Sequence, residues 1–147
     1  MLKIQVKTFE ELTKQDLYSL LQLRSEVFVV EQNCVYQDID GKDQKALHVL
    51  GFKEGKLIGY TRIFKPGDYF KESSIGRVVV AKHGRAYKYG YDIMKVSIKA
   101  IKENYNTSLI KISAQVYLKK FYTNLGFTAT GETYLEDDIP HIAMIKE

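Results

Sequence analysis

Hydrophobic residues in this chain change their spacing several times, and each change marks an element. Leu2, Ile4 and Val6 alternate with Lys3, Gln5 and Lys7, the period-two signature of a strand with one buried face. Thr13-x-x-Asp16 then has the form of a capping box, and Leu17, Leu20, Leu21, Val27 and Phe28 continue it as a helix. A polar loop from about Gln32 to Lys45 leads to a hairpin, in which Ala46 to Phe52 and Leu57 to Phe64 flank the turn Glu54-Gly55-Lys56. Ile75 to Ala81 is the next strand, because its β-branched run is too short and too uniformly apolar for a helix. Beyond Lys82-His83-Gly84-Arg85, Tyr89, Ile93, Val96 and Ala100 recur with helical period while Lys95, Lys99 and Lys102 mark a solvated face. A long helix is therefore expected to start near Arg85. Leu109 to Ala114 reads as a short strand, Tyr117 to Leu125 as a short helix, and Phe127 to Tyr134 with His141 to Ile145 as a closing strand pair. The order β-α-β-β-β-α-β-α-β-β predicts a mixed α/β fold whose sheet begins antiparallel.

The junction between the valine strand and the long helix carries the densest chemistry. Free amides of a first helical turn and the positive end of its dipole attract an anion, and Arg85 and Lys88 add charge there. A buried valine strand without any ligand is the alternative. Arg24 falls on the apolar face of the first helix, between Leu20 and Phe28, where either snorkelling or an ion pair with Glu31, Asp38 or Asp40 satisfies it. Those carboxylates and Asp43 share one loop region, with His48 opening the strand beyond. They form either an acidic pocket suited to a cationic amine or an ordinary solvated loop.

Composition narrows the field. The 147 residues, 45% hydrophobic, suffice for one domain spanning 1–147 with its own core, and no repeat or linker divides them. The N-terminus shows neither a signal-peptide core nor a membrane span, and the lone Cys34 can form no internal disulfide, which points to the cytoplasm. Asn106-Thr107-Ser108 is then a helix-to-strand turn and not a glycosylation site. The net charge of +4 is scattered among 18 acidic residues, without the basic stripe of a nucleic-acid reader. Asp38-Ile39-Asp40-Gly41 lacks the rest of a calcium loop, and His48, His83 and His141 lack zinc spacing, so no metal is expected.

The run from Val78 to Gly90 resembles the acetyl-CoA motif of the GNAT acyltransferases, Q/R-x-x-G-x-G/A, with Arg85 first, Gly90 last, and Lys88 where the middle glycine is usual. Arg24-x-x-Val27-Phe28-Val29-Val30-Glu31-Gln32, Tyr36-x-Asp38-x-Asp40-Gly41, His48-x-Leu50-Gly51, Gly76-Arg77-Val78, Ala114-Gln115, Phe121-Tyr122-x-x-Leu125-Gly126-Phe127 and Ile139-Pro140-His141-Ile142 follow in order the pattern of the ElaA-like branch. That branch also carries lysine at the position of Lys88. The resemblance covers nearly the whole chain. It implies a central mixed, mostly antiparallel sheet, splayed at the acetyl-CoA cleft and flanked by helices on both faces. Acetyl-CoA is the implied cosubstrate, held by Val78, Val80, Arg85, Ala86, Lys88, Tyr89, Gly90, Tyr91 and Gln115.

The same resemblance places the Tyr122 hydroxyl near the coenzyme A sulfur, where core packing is the competing explanation of an aromatic beside Phe121. Glu31 and His48 are the candidates for removing a proton, and Arg24, Asp38, Asp40, Arg77 and His141 for the acceptor side. The implied reaction is direct acetyl transfer, in a ternary complex, to a primary amine of a small molecule or peptide, with no membrane or nucleic-acid partner and with a homodimer left open. Acyl-homoserine-lactone synthases share the fold and the Arg24-x-x-Val-Phe pattern, but this chain is shorter, and Lys88-x-Gly90 favours coenzyme A over an acyl carrier protein. A non-catalytic acyl-CoA-binding module is the alternative from another class; Tyr122 and the ionisable pocket favour an enzyme.

Overall fold

The computed structural model describes residues 2–147. Its strands are β1 (Lys3–Thr8), β2 (Leu47–Lys53), β3 (Lys56–Phe64), β4 (Ser73–Val80), β5 (Ile110–Gln115), β6 (Thr128–Glu136) and β7 (Ile139–Lys146). The helices are α1 (Lys14–Arg24), α2 (Tyr89–Tyr105) and α3 (Lys119–Asn124). One sheet takes the order β1-β2-β3-β4-β5-β7-β6, antiparallel throughout except where β4 meets β5. The mixed, mostly antiparallel sheet expected from the sequence is thus present.

Local chemistry accounts for the ends of several elements. Thr13 caps α1 reciprocally, its hydroxyl accepting from the Asp16 amide at 2.9 Å while Asp16 accepts from the Thr13 amide at 3.1 Å. α1 does not stop at Arg24 but widens into a π-helical stretch, Ser25–Glu31. The β2–β3 hairpin turns through Glu54 and Gly55, both at positive φ (51° and 78°), as a tight primed turn requires. The helix expected from Arg85 starts later. Lys82–Tyr87 forms a 3₁₀ turn, and Lys88, left-handed at φ 59°, breaks the ladder before α2 begins at Tyr89.

Two cores lie on opposite faces of the sheet. Leu50 and Tyr60 point to one face beneath Leu20 and Leu23 of α1, with Val27 and Phe28 of the π stretch. Val49, Ile63, Ile75, Ile112 and Met144 point to the other, beneath Ile93, Met94, Ala100 and Ile101 of α2. α2 comes so close that a Cβ at Gly59 would lie 2.0 Å from Ile93 Cδ1, which is why β3 carries no side chain there. α1 packs on β3 and β4. The β5–β7 part of that same face is left to the cleft.

A bulge in β4 parts the sheet. Tyr60 pairs with Val79 and Arg62 with Gly76, so Thr61 alone faces both Arg77 and Val78. Arg77 takes the strained left-handed conformation, φ 48°, and β4 bends. Thr61 is fixed from the far side by a 2.7 Å hydrogen bond to Ser97 of α2. The parallel β4–β5 pairing consequently covers only Ser73–Ile110 and Ser74–Lys111, and the strands diverge beyond it. Among the described residues no helix is long and apolar enough to cross a membrane.

Candidate active site

The divergence of β4 and β5 opens into a cleft of about 470 Å³. Glu31 of the π stretch, Arg77, Val78 and Val80 of β4, Arg85 and Lys88 of the following turn, Gly90 and Tyr91 of α2, Gln115 of β5, Tyr122 of α3 and His141 of β7 all line it. Ala86 lies in the same turn without lining the cleft, and the Tyr89 hydroxyl turns away to accept from Lys53 at 2.9 Å. Gly90 admits Phe121, whose ring atoms would come within 3.3 Å of a Cβ at that position. No side chain caps the N-terminus of α2.

Arg85 spans the mouth. Its Nε donates to the Val80 carbonyl at 3.1 Å, and Nη1 and Nη2 grip the two Glu31 oxygens at 2.6 and 3.0 Å. This hydrogen bond holds the Glu31 carboxyl below its ordinary value, so Glu31 is an ionised partner of Arg85. Deeper in, Gln32 and Gln115 exchange amide hydrogen bonds across the gap at 3.3 and 3.4 Å.

The loop after the π stretch is pinned by three arginines and three aspartates. Arg24, fully buried, donates from Nε to Asp38 at 2.7 Å, from Nη1 to Asp43 at 2.7 Å and from Nη2 to the Asp38 carbonyl at 3.2 Å. Arg62 grips both Asp40 oxygens at 2.9 and 2.5 Å and reaches Asp43 at 3.0 Å. Arg77 donates to the Asp38 carbonyl at 2.9 Å, and its Nε lies 2.8 Å from Asp38 Oδ1 in an ion pair too poorly aligned to count as a hydrogen bond. Burial alone would raise the Asp40 and Asp43 carboxyls, but the hydrogen bonds from Arg62 and Arg24 prevail and hold both below their usual range. The same bonds overcome burial to raise the Arg24 guanidinium. Three positive charges balance three negative ones, so these aspartates form a neutral, buried framework. An acidic pocket for a cationic amine is not what they build; Arg24, Asp38 and Asp40 stand behind the wall of the cleft.

Tyr122 is buried between Phe121 and Phe127, with edge-on rings at 5.0 and 6.1 Å. Burial pushes its phenol up, so it keeps its proton. His48 takes no part in the cleft. It is fully buried, its Nε2 donates to the Asp43 carbonyl at 2.9 Å, and its Nδ1 accepts from the Tyr60 hydroxyl at 2.5 Å. Burial lowers its pKa, and both nitrogens of the neutral ring are committed, which leaves His48 a structural pin beneath the loop. His141 does line the cleft, beside Glu136 and Asp137 of the β6–β7 hairpin.

Sequence reasoning passed over Arg62 and Glu136, and named Gln32 only as part of the family pattern without giving it a role. An arginine inside the apolar run Leu57 to Phe64 was the available signal for Arg62, of the same kind that exposed Arg24. Nothing in the local sequence distinguishes Glu136 from solvated polar residues.

A sheet parted between two parallel strands beside a basic turn is the arrangement that the resemblance to the GNAT acyltransferases led one to expect. Residues 8–147 match the acetyltransferase (GNAT) domain, and the chain belongs to that family. It is similar to the protein ElaA of Escherichia coli strain K12, at 43% identity over 139 residues that cover 93% of this chain and 91% of ElaA. The crystal structure of Escherichia coli ElaA superposes with a TM-score of 0.93 at 41% identity, covering all of both chains. An acyl-CoA N-acyltransferase from Pseudomonas aeruginosa gives a TM-score of 0.93 at 39% identity, again over all of both chains.

Proposed function

We propose that this chain transfers an acetyl group from acetyl-CoA to a primary amine of a small molecule or peptide, directly and in a ternary complex. The observation that carries this reading is the parting of β4 from β5 after Ser74, with Val78 and Val80 on one lip and Gln115 on the other. Backbone groups left unpaired by the splay suit the amides of a pantetheine arm, which lies between the strands as a further strand would. Arg85, Lys88 and the uncapped start of α2 suit the pyrophosphate. The N-acyltransferase name of the Pseudomonas aeruginosa relative supports nitrogen as the acceptor atom.

In this mechanism the amine attacks the thioester carbonyl, a β4 amide at the bulge stabilises the oxyanion, and the Tyr122 hydroxyl meets the departing sulfur. The test is a screen of amines, polyamines, amino acids and peptides with acetyl-CoA, read by thiol release and by product mass. N-acetylated product is expected. Acetylation confined to hydroxyls, or no thiol release with any acceptor, would sink the reading.

A further inference from the structure

His48 is committed within the core and Glu31 to Arg85, and the structure offers another base. We infer that His141 Nε2 is the general base that takes the proton from the acceptor amine; this rests on the N-acyl-transfer reading above. His141 projects from β7 opposite Gln115 of β5 and Tyr134 of β6, so the three side chains share the sheet face that α1 leaves uncovered. It lines the cleft while only 6% exposed.

The ring's tautomer follows from its partners. Nδ1 lies 2.7 Å from the Ile139 carbonyl, which can only accept, so Nδ1 carries the hydrogen. In the neutral ring Nε2 therefore presents its lone pair. Glu136 Oε2 stands 3.3 Å from Nε2 but out of hydrogen-bond alignment with it, so the Nε2 lone pair is not taken up by the carboxylate beside it. The Tyr134 ring stacks on the imidazole at 6.1 Å and 25°, holding its plane. The charged groups on the packed elements are Glu136 and Asp137 of the hairpin, both acidic, whereas β5 presents the neutral Gln115 and Ser113. Asp137 is itself tied through its carbonyl to the Cys34 thiol at 3.3 Å.

The step balances. The amine nitrogen forms the C–N bond as its N–H proton passes to Nε2; the C–S bond breaks with its electron pair on sulfur; the sulfur takes a proton through Tyr122, which solvent refills as His141 returns its own. The products are the N-acetyl amine and free thiol.

The test uses the full chain with acetyl-CoA and benzylamine or spermidine as acceptor. His141→Gln should lower kcat by roughly 10² to 10⁴-fold and leave the affinity for acetyl-CoA measured by calorimetry unchanged. Added imidazole should restore part of the rate to His141→Ala, a response that a packing role would not give. A His141→Gln enzyme with wild-type kcat overturns the inference while leaving acetyl transfer standing. Nitrogen-detected NMR of the imidazole supplies an acceptor-free check: a neutral ring protonated on Nε2 also overturns it. A wild-type enzyme inert towards every amine instead overturns the transfer reading and takes this inference with it.

Discussion

If Arg85 holds the donor's pyrophosphate, as proposed above, Glu31 and the donor compete for one guanidinium, and the competition can be measured. Pyrophosphate can take the Arg85 fork only if the two hydrogen bonds to Glu31, at 2.6 and 3.0 Å, open first. The side chains are 42% and 33% exposed, so solvent screens the pair and it is worth only about 0.2 to 1 kcal/mol. Glu31→Gln should therefore tighten acetyl-CoA binding by roughly 1.4- to 5-fold. Arg85→Ala should act the other way, losing a charged contact worth about 1.5 to 3 kcal/mol, or roughly 10- to 150-fold in Kd. Calorimetry at low and at high salt separates the effects, because the gain from Glu31→Gln is an exposed electrostatic one and should shrink as salt rises. Glu31→Gln binding that is unchanged or weaker at low salt would refute the competition. It would mean that Glu31 positions Arg85 for the donor instead of withholding it.

Three further outcomes are expected. Tyr122→Phe keeps the ring between Phe121 and Phe127 but deletes the hydroxyl, so kcat in the thiol-release assay should fall by roughly 10² to 10⁴-fold with acetyl-CoA affinity and melting temperature unchanged; wild-type turnover would assign the sulfur to another donor. Asp40 and Asp43 have depressed carboxyls in the fold, so their contribution to stability is complete above the unfolded carboxylate value of about 3.9 and is lost as pH falls through the folded values; urea midpoints should drop below about pH 4, and less steeply in Arg62→Met, which lacks a depressing charge on both. Arg77→Gly should be more stable than Arg77→Ala by about 1 kcal/mol in urea melts, because only glycine takes the left-handed bulge position without strain; equal stabilities would show that the conformation costs nothing.

Elements governed by period were legible in the sequence. The hairpin turn at Glu54-Gly55, the Thr13 cap and the antiparallel opening of the sheet all follow from local chemistry and appear where expected. The start of α2 was not, because the apolar repeat that begins at Tyr89 says nothing of how the preceding basic residues fold, and they close a 3₁₀ turn of their own. At the site, Arg24 was conspicuous as a charge on an apolar face, and its pairing with Asp38 was among the alternatives open to it. That the neighbouring aspartates are fully neutralised was hidden, since it depends on Arg62 and Arg77 arriving from strands about 20 to 40 residues away in sequence. His48 was read as a candidate for removing a proton and His141 as an acceptor-side residue; the sheet register sends the first beneath the loop and the second into the cleft.

Arg77 is where strand geometry and loop position become a single thermodynamic variable. Its main chain occupies the left-handed bulge, and its guanidinium reaches Asp38 and Asp40 on the loop, so releasing the loop removes what keeps the strained conformation occupied. A β4 relieved of the bulge can straighten towards β5 and extend the ladder that now ends at Ser74. Local melting would then annihilate the cleft by adding sheet, not by subtracting it. Native-state hydrogen exchange should register this as an inversion: in Arg24→Met, with the loop freed, loop amides lose protection while those of Val78 and Val80 gain it. Faster exchange at all of these amides would show that loop and strands come apart together.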